Sequence, residues 1–500
     1  MENNKSLKLD GIQRSYAFLL LAYLAILPVA NTTALRNLLL LGLLVLLLVF
    51  MVRRSSRPAH AVMDFLSTPY WPLWTWFVFL CLFPLWARQP EVAWSNLGAQ
   101  WGTSIAAWLL GLGAVWMLGR RGPGLWALAG ASAFLVVLHL LLTLMAWAGL
   151  FGESPPTDLP VRAMWRVLVE ILDPQSAASW SWQGFPWGFR GFDPMHGNLG
   201  YTGTQAMILL SVCLLWAWQA QRPKMMAWSA LGIALCFLSV VVAYSRGSVL
   251  YQLLMLLVGL AVFMFKLRRE KTAVPQPQDW GRHRLPMFLL VLLMVLALFL
   301  TQYLRKDMRW GLMFDKVKVA FLVQDPVEFM CEGVTPELRA QIHRHLESQD
   351  PQYMDALVDG LNGDGGRIML MRVGWQLALE QLRGLDGSRD SYRKLIEERC
   401  GHPPVMLFFH THQGWLDTVL ALGWGGSLLW AFLLSYLAWT GWRALDDEKR
   451  WPWALALFLI AVFWALRGLA DSVYREHNLQ MQAVLLGYLF ARLRLESGLR

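Results

Sequence analysis

Charge is scarce in this chain: Asp, Glu, Lys and Arg make up 16% of its 500 residues, against about 25% in an ordinary soluble domain. Five cysteines are too few for a scaffold built on disulfides. No fixed-period repeat and no low-complexity tail occurs, which excludes a solenoid or a long disordered linker as the main architecture. Neither a Walker loop nor a dinucleotide fingerprint stands at a strand-to-helix turn, so no nucleotide site is expected.

What fills the chain instead is apolar sequence, 56% of all positions. Runs of about 17–25 such residues recur throughout, each long enough to cross a hydrocarbon core of about 30 Å as a helix. The 28 tryptophans often sit at the ends of these runs, where amphipathic rings favour the headgroup level. The expected fold is an all-α polytopic membrane protein. Run length places about twelve spans, near 15–31, 35–52, 71–87, 102–119, 124–150, 204–221, 225–243, 248–265, 286–304, 416–440, 452–472 and 479–493. The first run lacks a small-residue cleavage site and reads as an ordinary helix.

The formal charge of +10 is then a topology signal. Arg53, Arg54, Arg120, Arg121, Arg222, Lys224, Arg268, Arg269, Arg443 and Arg494 all fall on one side if both termini are cytoplasmic. Nucleic-acid binding is not needed to explain them. The expected organisation is membrane helices over 1–304, including a long external loop 151–203, an external helical subdomain over 305–411, and membrane helices over 412–500. Cys331 and Cys400 both lie in the external subdomain. In an oxidising compartment they either bridge or remain two free thiols, and spacing alone does not decide.

The polar residues collect at the external ends of the spans. "GFRGFDPMHGNLGYTG" offers Arg190, Asp193, His196 and Asn198; "AYSRGS" offers Arg246; "GDGGRIMLMR" offers Arg367. "FFHTHQGWLD" brings His410, His412, Gln413 and Asp417 to the head of a span, and "LRGLADSVYREHN" adds Arg467 and Asp471, four apart on one helix face. Single arginines there also serve as interfacial anchors, and Arg467–Asp471 also reads as a structural ion pair. His410 and His412 would share one side of an extended strand but splay apart on a helix. No Cys or carboxylate set accompanies them at metal-ligand spacing. Taken as a set, guanidinium forks suit a diphosphate, and an imidazole suits the activation or alignment of a hydroxyl. Those are the parts of a glycosyl transfer from a lipid diphosphate.

The chain resembles the O-antigen ligase family, within the wider group of O-antigen polymerases and pilin O-oligosaccharyltransferases. The most specific likeness is a histidine motif: His412, Gln413, nine residues "GWLDTVLAL", Gly423, two residues, Gly426. "YSRGSVL" resembles the family's Ser-Arg turn at Arg246, "GGRIMLMR" its Gly-Arg stretch at Arg367, and "FRGFDPMHGN" its Arg-Gly segment at Arg190. The resemblance implies a GT-C-type glycosyltransferase of the bacterial inner membrane with a periplasmic active site and no metal or other cofactor. It would move O-antigen polysaccharide from undecaprenyl diphosphate to lipid A-core in lipopolysaccharide biosynthesis, inverting the anomeric carbon. His412, Arg246 and Arg367 would be catalytic. Arg190 would assist at the diphosphate, and from their place in the polar constellation His410, Gln413, Asn198, Arg467 and Asp471 are expected to contact substrate. O-antigen polymerase and protein O-oligosaccharyltransferase share the chemistry and differ in acceptor. A flippase of lipid-linked sugars is the reading from another class, and it would spread polar residues along a transmembrane path.

Overall fold

The computed structural model describes residues 10–29, 31–54, 70–151, 184–192, 195–270, 298, 300–301, 313–345, 353, 357–358, 361, 364–406 and 408–497. Among these every regular element is helical. Six helices are long and apolar enough to cross a membrane: Thr33–Arg53, Pro90–Arg121, Gly197–Gln219, Pro223–Val242, Arg246–Arg269 and Gly414–Arg443. A seventh crossing arises if Leu125–Ser132 and Phe134–Trp147, bent by 44° at their junction, form one broken span. The molecule is a helical membrane protein. Leu38, Leu41, Leu48 and Val52 point outward from the Thr33–Arg54 helix, as lipid-facing side chains do.

The difference from twelve has physical reasons. The runs near 15–31, 71–87 and 452–472 form the shorter apolar helices Gly11–Ile26, Trp71–Leu85 and Trp451–Arg467, below the roughly 20 residues that a 30 Å core demands. The run near 286–304 lies almost wholly outside the described residues. The last run belongs to Glu476–Glu496, which buries Asn478, Gln480, Gln482 and Arg492 inside the bundle. Tyr23 donates to Gln480 at 3.0 Å, Gln482 donates to the Val473 carbonyl at 2.9 Å, and Arg492 donates to the carbonyls of Gly119 and Arg120 at 2.6 and 3.0 Å. This helix packs on Gly102–Leu118 backbone to backbone. A Cβ at Gly111 would lie 2.9 Å from the Tyr488 nitrogen, so only glycine permits that approach.

A second apolar cluster is built from residues between Val319 and Met406 together with Leu416, Val419 and Leu420. Cys331 and Cys400 are disulfide-bonded in it, with Cα atoms 5.5 Å apart. Arg372 donates to the carbonyls of Ala320 and Val323 at 2.9 and 2.7 Å, satisfying the end of the Met313–Leu322 helix.

The expected span 416–440 is not one straight helix. Gly423 sits at φ 75° and ψ 175°, and beyond it the helix axis changes so sharply that Ser427 reaches back to the Trp415 carbonyl at 3.4 Å. The backbone groups released at the break are taken up by the loop 382–388. Leu385 and Gly387 donate to the carbonyls of Leu420 and Ala421, both at 2.9 Å. A Cβ on Gly423 would lie 2.6 Å from the Leu382 oxygen. Composition alone shows an uninterrupted apolar run here, and glycine within it gives no sign of its positive φ.

Candidate functional site

The histidine turn is a helix cap. Gln413 precedes Gly414–Arg443, and its side-chain oxygen accepts from Leu416 N at 2.7 Å. Thr411 is fully buried; its N–H and hydroxyl donate to Asp417 at 2.9 and 2.8 Å. Gly414 N donates to the Gly468 and Asp471 carbonyls at 2.7 and 2.9 Å. That pair of bonds docks the turn onto the segment after Trp451–Arg467, bringing two stretches some 55 residues apart in sequence to one place.

His412 adopts φ 55°, a left-handed conformation that is strained for a non-glycine residue. The left-handed residue, and not an extended strand, is therefore what keeps the two imidazoles on one side. Their rings meet edge to face with centroids 4.2 Å apart. His412 Nδ1 is 3.9 Å from an Asp471 carboxylate oxygen, one small movement from a hydrogen bond of the kind that tightens when substrate binds. Among the described residues no group hydrogen-bonds its Nε2.

Asp471 is held from behind. Arg467 donates to it at 3.1 Å, and that guanidinium lies between the Tyr201 and Tyr251 rings, 4.9 and 4.8 Å from their centroids. Burial works against the Asp471 charge, but the His412 imidazole, Arg467 and Arg367 outweigh it and hold the carboxyl well below the usual carboxylate range. The pair expected to touch substrate is thus largely occupied with itself: Arg467 is 7% exposed and engages Asp471 and two tyrosine rings.

Arg367 is exposed at the start of Asp364–Glu380, next to the turn, since Gly366 faces Phe408 and Gly374 faces Thr411. Its charge is felt by both Asp471 and His410. Arg246 opens the helix Arg246–Glu270. The following residue backs onto the same cluster, for a Cβ on Gly247 would stand 3.0 Å from Arg467 Nη1. Arg190 is half-buried on a segment whose Gly188 packs against Tyr244, two residues before Arg246. Asn198 donates to the Pro28 carbonyl at 2.8 Å and pairs with His477 at 3.0 Å, so its amide is engaged within the protein. Asp193 and the His196 side chain lie outside the described part of the structure.

Three neighbours were not expected from sequence. Ser472 contacts both His410 Nδ1, at 2.9 Å, and Asp417. Tyr201 lies beside Arg467 and close enough to Asp471 to favour its charged form. The Arg475 charge bears on His410, adding a guanidinium close to the two imidazoles. Arg475 and Ser472 stand in "DSVYREHN", four and one residues past Asp471; counting every cation in that turn would have found Arg475. Burial, followed by the Arg475 and Arg367 charges, drives His410 far below the ordinary imidazole value, so its ring is neutral. Among the described residues no group of three or more His, Cys, Asp or Glu side chains is disposed to hold a metal ion.

No family model matches the chain, and no curated protein is significantly similar to it.

Proposed function

We propose that this protein is a membrane glycosyltransferase of the O-antigen ligase type, moving a polysaccharide from undecaprenyl diphosphate to a sugar of lipid A-core. In this reading twelve spans carry both termini on the cytoplasmic side of the bacterial inner membrane, and residues 305–411 form a periplasmic subdomain over the reaction site. The observation that carries it is the meeting of the His412–Asp471 pair with Arg367 and the head of the Arg246 helix at one end of the bundle.

The chemistry follows from that arrangement. The acceptor hydroxyl oxygen forms a bond to the anomeric carbon while the bond to the diphosphate oxygen breaks. The electron pair leaves on the diphosphate, where Arg246 and Arg367, with Arg190 nearby, stabilise the growing charge. The hydroxyl is aligned by His412 Nε2, which takes its proton; Asp471 faces the opposite nitrogen and stabilises the imidazolium. Displacement in one step inverts the carbon. Polar groups gathered at one end suit a surface reaction better than a transmembrane path for a flippase.

The test uses the purified full chain with undecaprenyl-diphosphate-linked glycan and lipid A-core, without nucleotide or divalent cation. Transfer is expected, and His412→Ala, Arg246→Ala and Arg367→Ala should each abolish it while the proteins still insert in membranes. Movement of the lipid across vesicles without transfer would instead favour the flippase.

A further inference from the structure

His410 is the second imidazole of the turn, and its environment differs from that of His412 in kind. Its Nδ1 faces inward, 3.3 Å from the backbone N–H of His412 and 2.9 Å from the Ser472 hydroxyl. An aromatic nitrogen has one lone pair in the ring plane, and it accepts only when unprotonated. A proton on Nδ1 would confront the His412 N–H, a donor with no alternative. Ser472 has a single hydrogen, to give either to Nδ1 or to Asp417. With that hydrogen on Asp417 the Ser472 oxygen is free to accept from a protonated Nδ1, so the tautomer is decided by the His412 N–H, which points at Nδ1 and favours the His410 proton on Nε2.

That bond spans the residue pair at which the chain turns left-handed. The φ of 55° at His412 is disfavoured for a side chain with a Cβ, and persists only where the surroundings over-determine it. Three contacts do so here: the His410 acceptor for the His412 N–H, the His410 ring edge against the His412 ring at 4.2 Å between centroids, and the docking of Gly414 N on Gly468 and Asp471. Release of the first would let the backbone relax toward negative φ and swing the His412 imidazole away from Asp471.

We infer that His410 is a positioning residue: its Nδ1 accepts the His412 N–H and so locks the left-handed turn that aims the His412 ring between Asp471 and the acceptor hydroxyl. It acts through His412 and touches neither substrate nor the reacting atoms. This replaces the substrate contact expected of it from sequence, and it rests on the glycosyl-transfer reading of the same site.

Two amides separate the possibilities. Asparagine carries its oxygen on Cγ, where His410 carries Nδ1; glutamine places its amide one carbon further out, near the position of Nε2. His410→Ala and His410→Gln should lower kcat on the order of 100-fold, the scale expected of a catalytic group misplaced by about 1 Å, with KM for donor and acceptor nearly unchanged. His410→Asn should restore most of the transfer. Thermal unfolding in detergent accompanies each variant, so that loss of kcat in a protein that still unfolds cooperatively is read as loss of position. Activity in His410→Gln with none in His410→Asn would overturn the inference in favour of an Nε2 contact to substrate. Full activity in His410→Ala, or none in Asn with the fold intact, would also overturn it. His412→Ala is run alongside: if that variant transfers normally, the glycosyl-transfer reading itself fails, whereas a dead His412→Ala with a contrary His410 series removes only the positioning role.

Discussion

Asp471 joins the two halves of the site, because it meets His412 on one side and a nearly enclosed Arg467 on the other. Removing its charge leaves that guanidinium without its carboxylate. Breaking such a buried pair costs about 3 kcal/mol, so Asp471→Asn should lower the unfolding temperature as well as the transfer rate. The pH dependence has a definite sign. A carboxyl whose folded pKa is depressed contributes stability above its unfolded value, roughly 4, and loses it only as pH falls through the folded value. The stability that the Asp471 charge itself adds is therefore fully present from pH 5 upward, and in thermal scans of wild type against Asp471→Asn it should be lost only in strong acid. His412, Arg467 and Asp471 were legible in the sequence, the first through a motif and the others through helical spacing. Ser472 and the inward-facing Nδ1 of His410 were not, because both depend on a left-handed φ and on contacts between residues 62 apart in sequence.

At the scale of elements, the break at Gly423 sets where the histidine turn sits. Without it the cap at Gln413 would ride far out on a straight 30-residue helix, away from Gly468. Gly423→Ala combines a positive φ with a clash against the Leu382 oxygen and should destabilise by about 2 kcal/mol or more. Gly425→Ala, where the nearest atom to a new Cβ is the Phe79 ring at 3.7 Å, should have little effect; thermal unfolding of the pair compares them directly. The Cys331–Cys400 bond closes a separation of 69 residues, and its loss should cost about 4 kcal/mol on the chain-entropy account. The expected readout is earlier proteolysis of the 313–406 region in Cys331→Ser, with the membrane bundle still resistant. Apolar periodicity made the helices legible, and the two loop cysteines marked a possible bridge. The broken helix stayed hidden because a glycine in an apolar run reads the same whether its φ is negative or positive.

Across the whole molecule the sequence marks a helical bundle in lipid, and the structure bears out that class with six or seven apolar crossings among the described residues. Where the polar groups gather is a property of the assembled bundle: Arg246, Arg367, His412 and Asp471 come from four separate stretches and reach one end only because their helices pack together. The most direct test of that convergence as a reaction centre is single-turnover transfer by the purified chain, from undecaprenyl-diphosphate glycan to lipid A-core, in wild type and His412→Ala side by side. The account predicts glycan on lipid A-core, with inverted linkage, from wild type alone and without nucleotide or divalent cation. Equal product from His412→Ala, or no product from a folded wild-type protein supplied with both lipids, would contradict it.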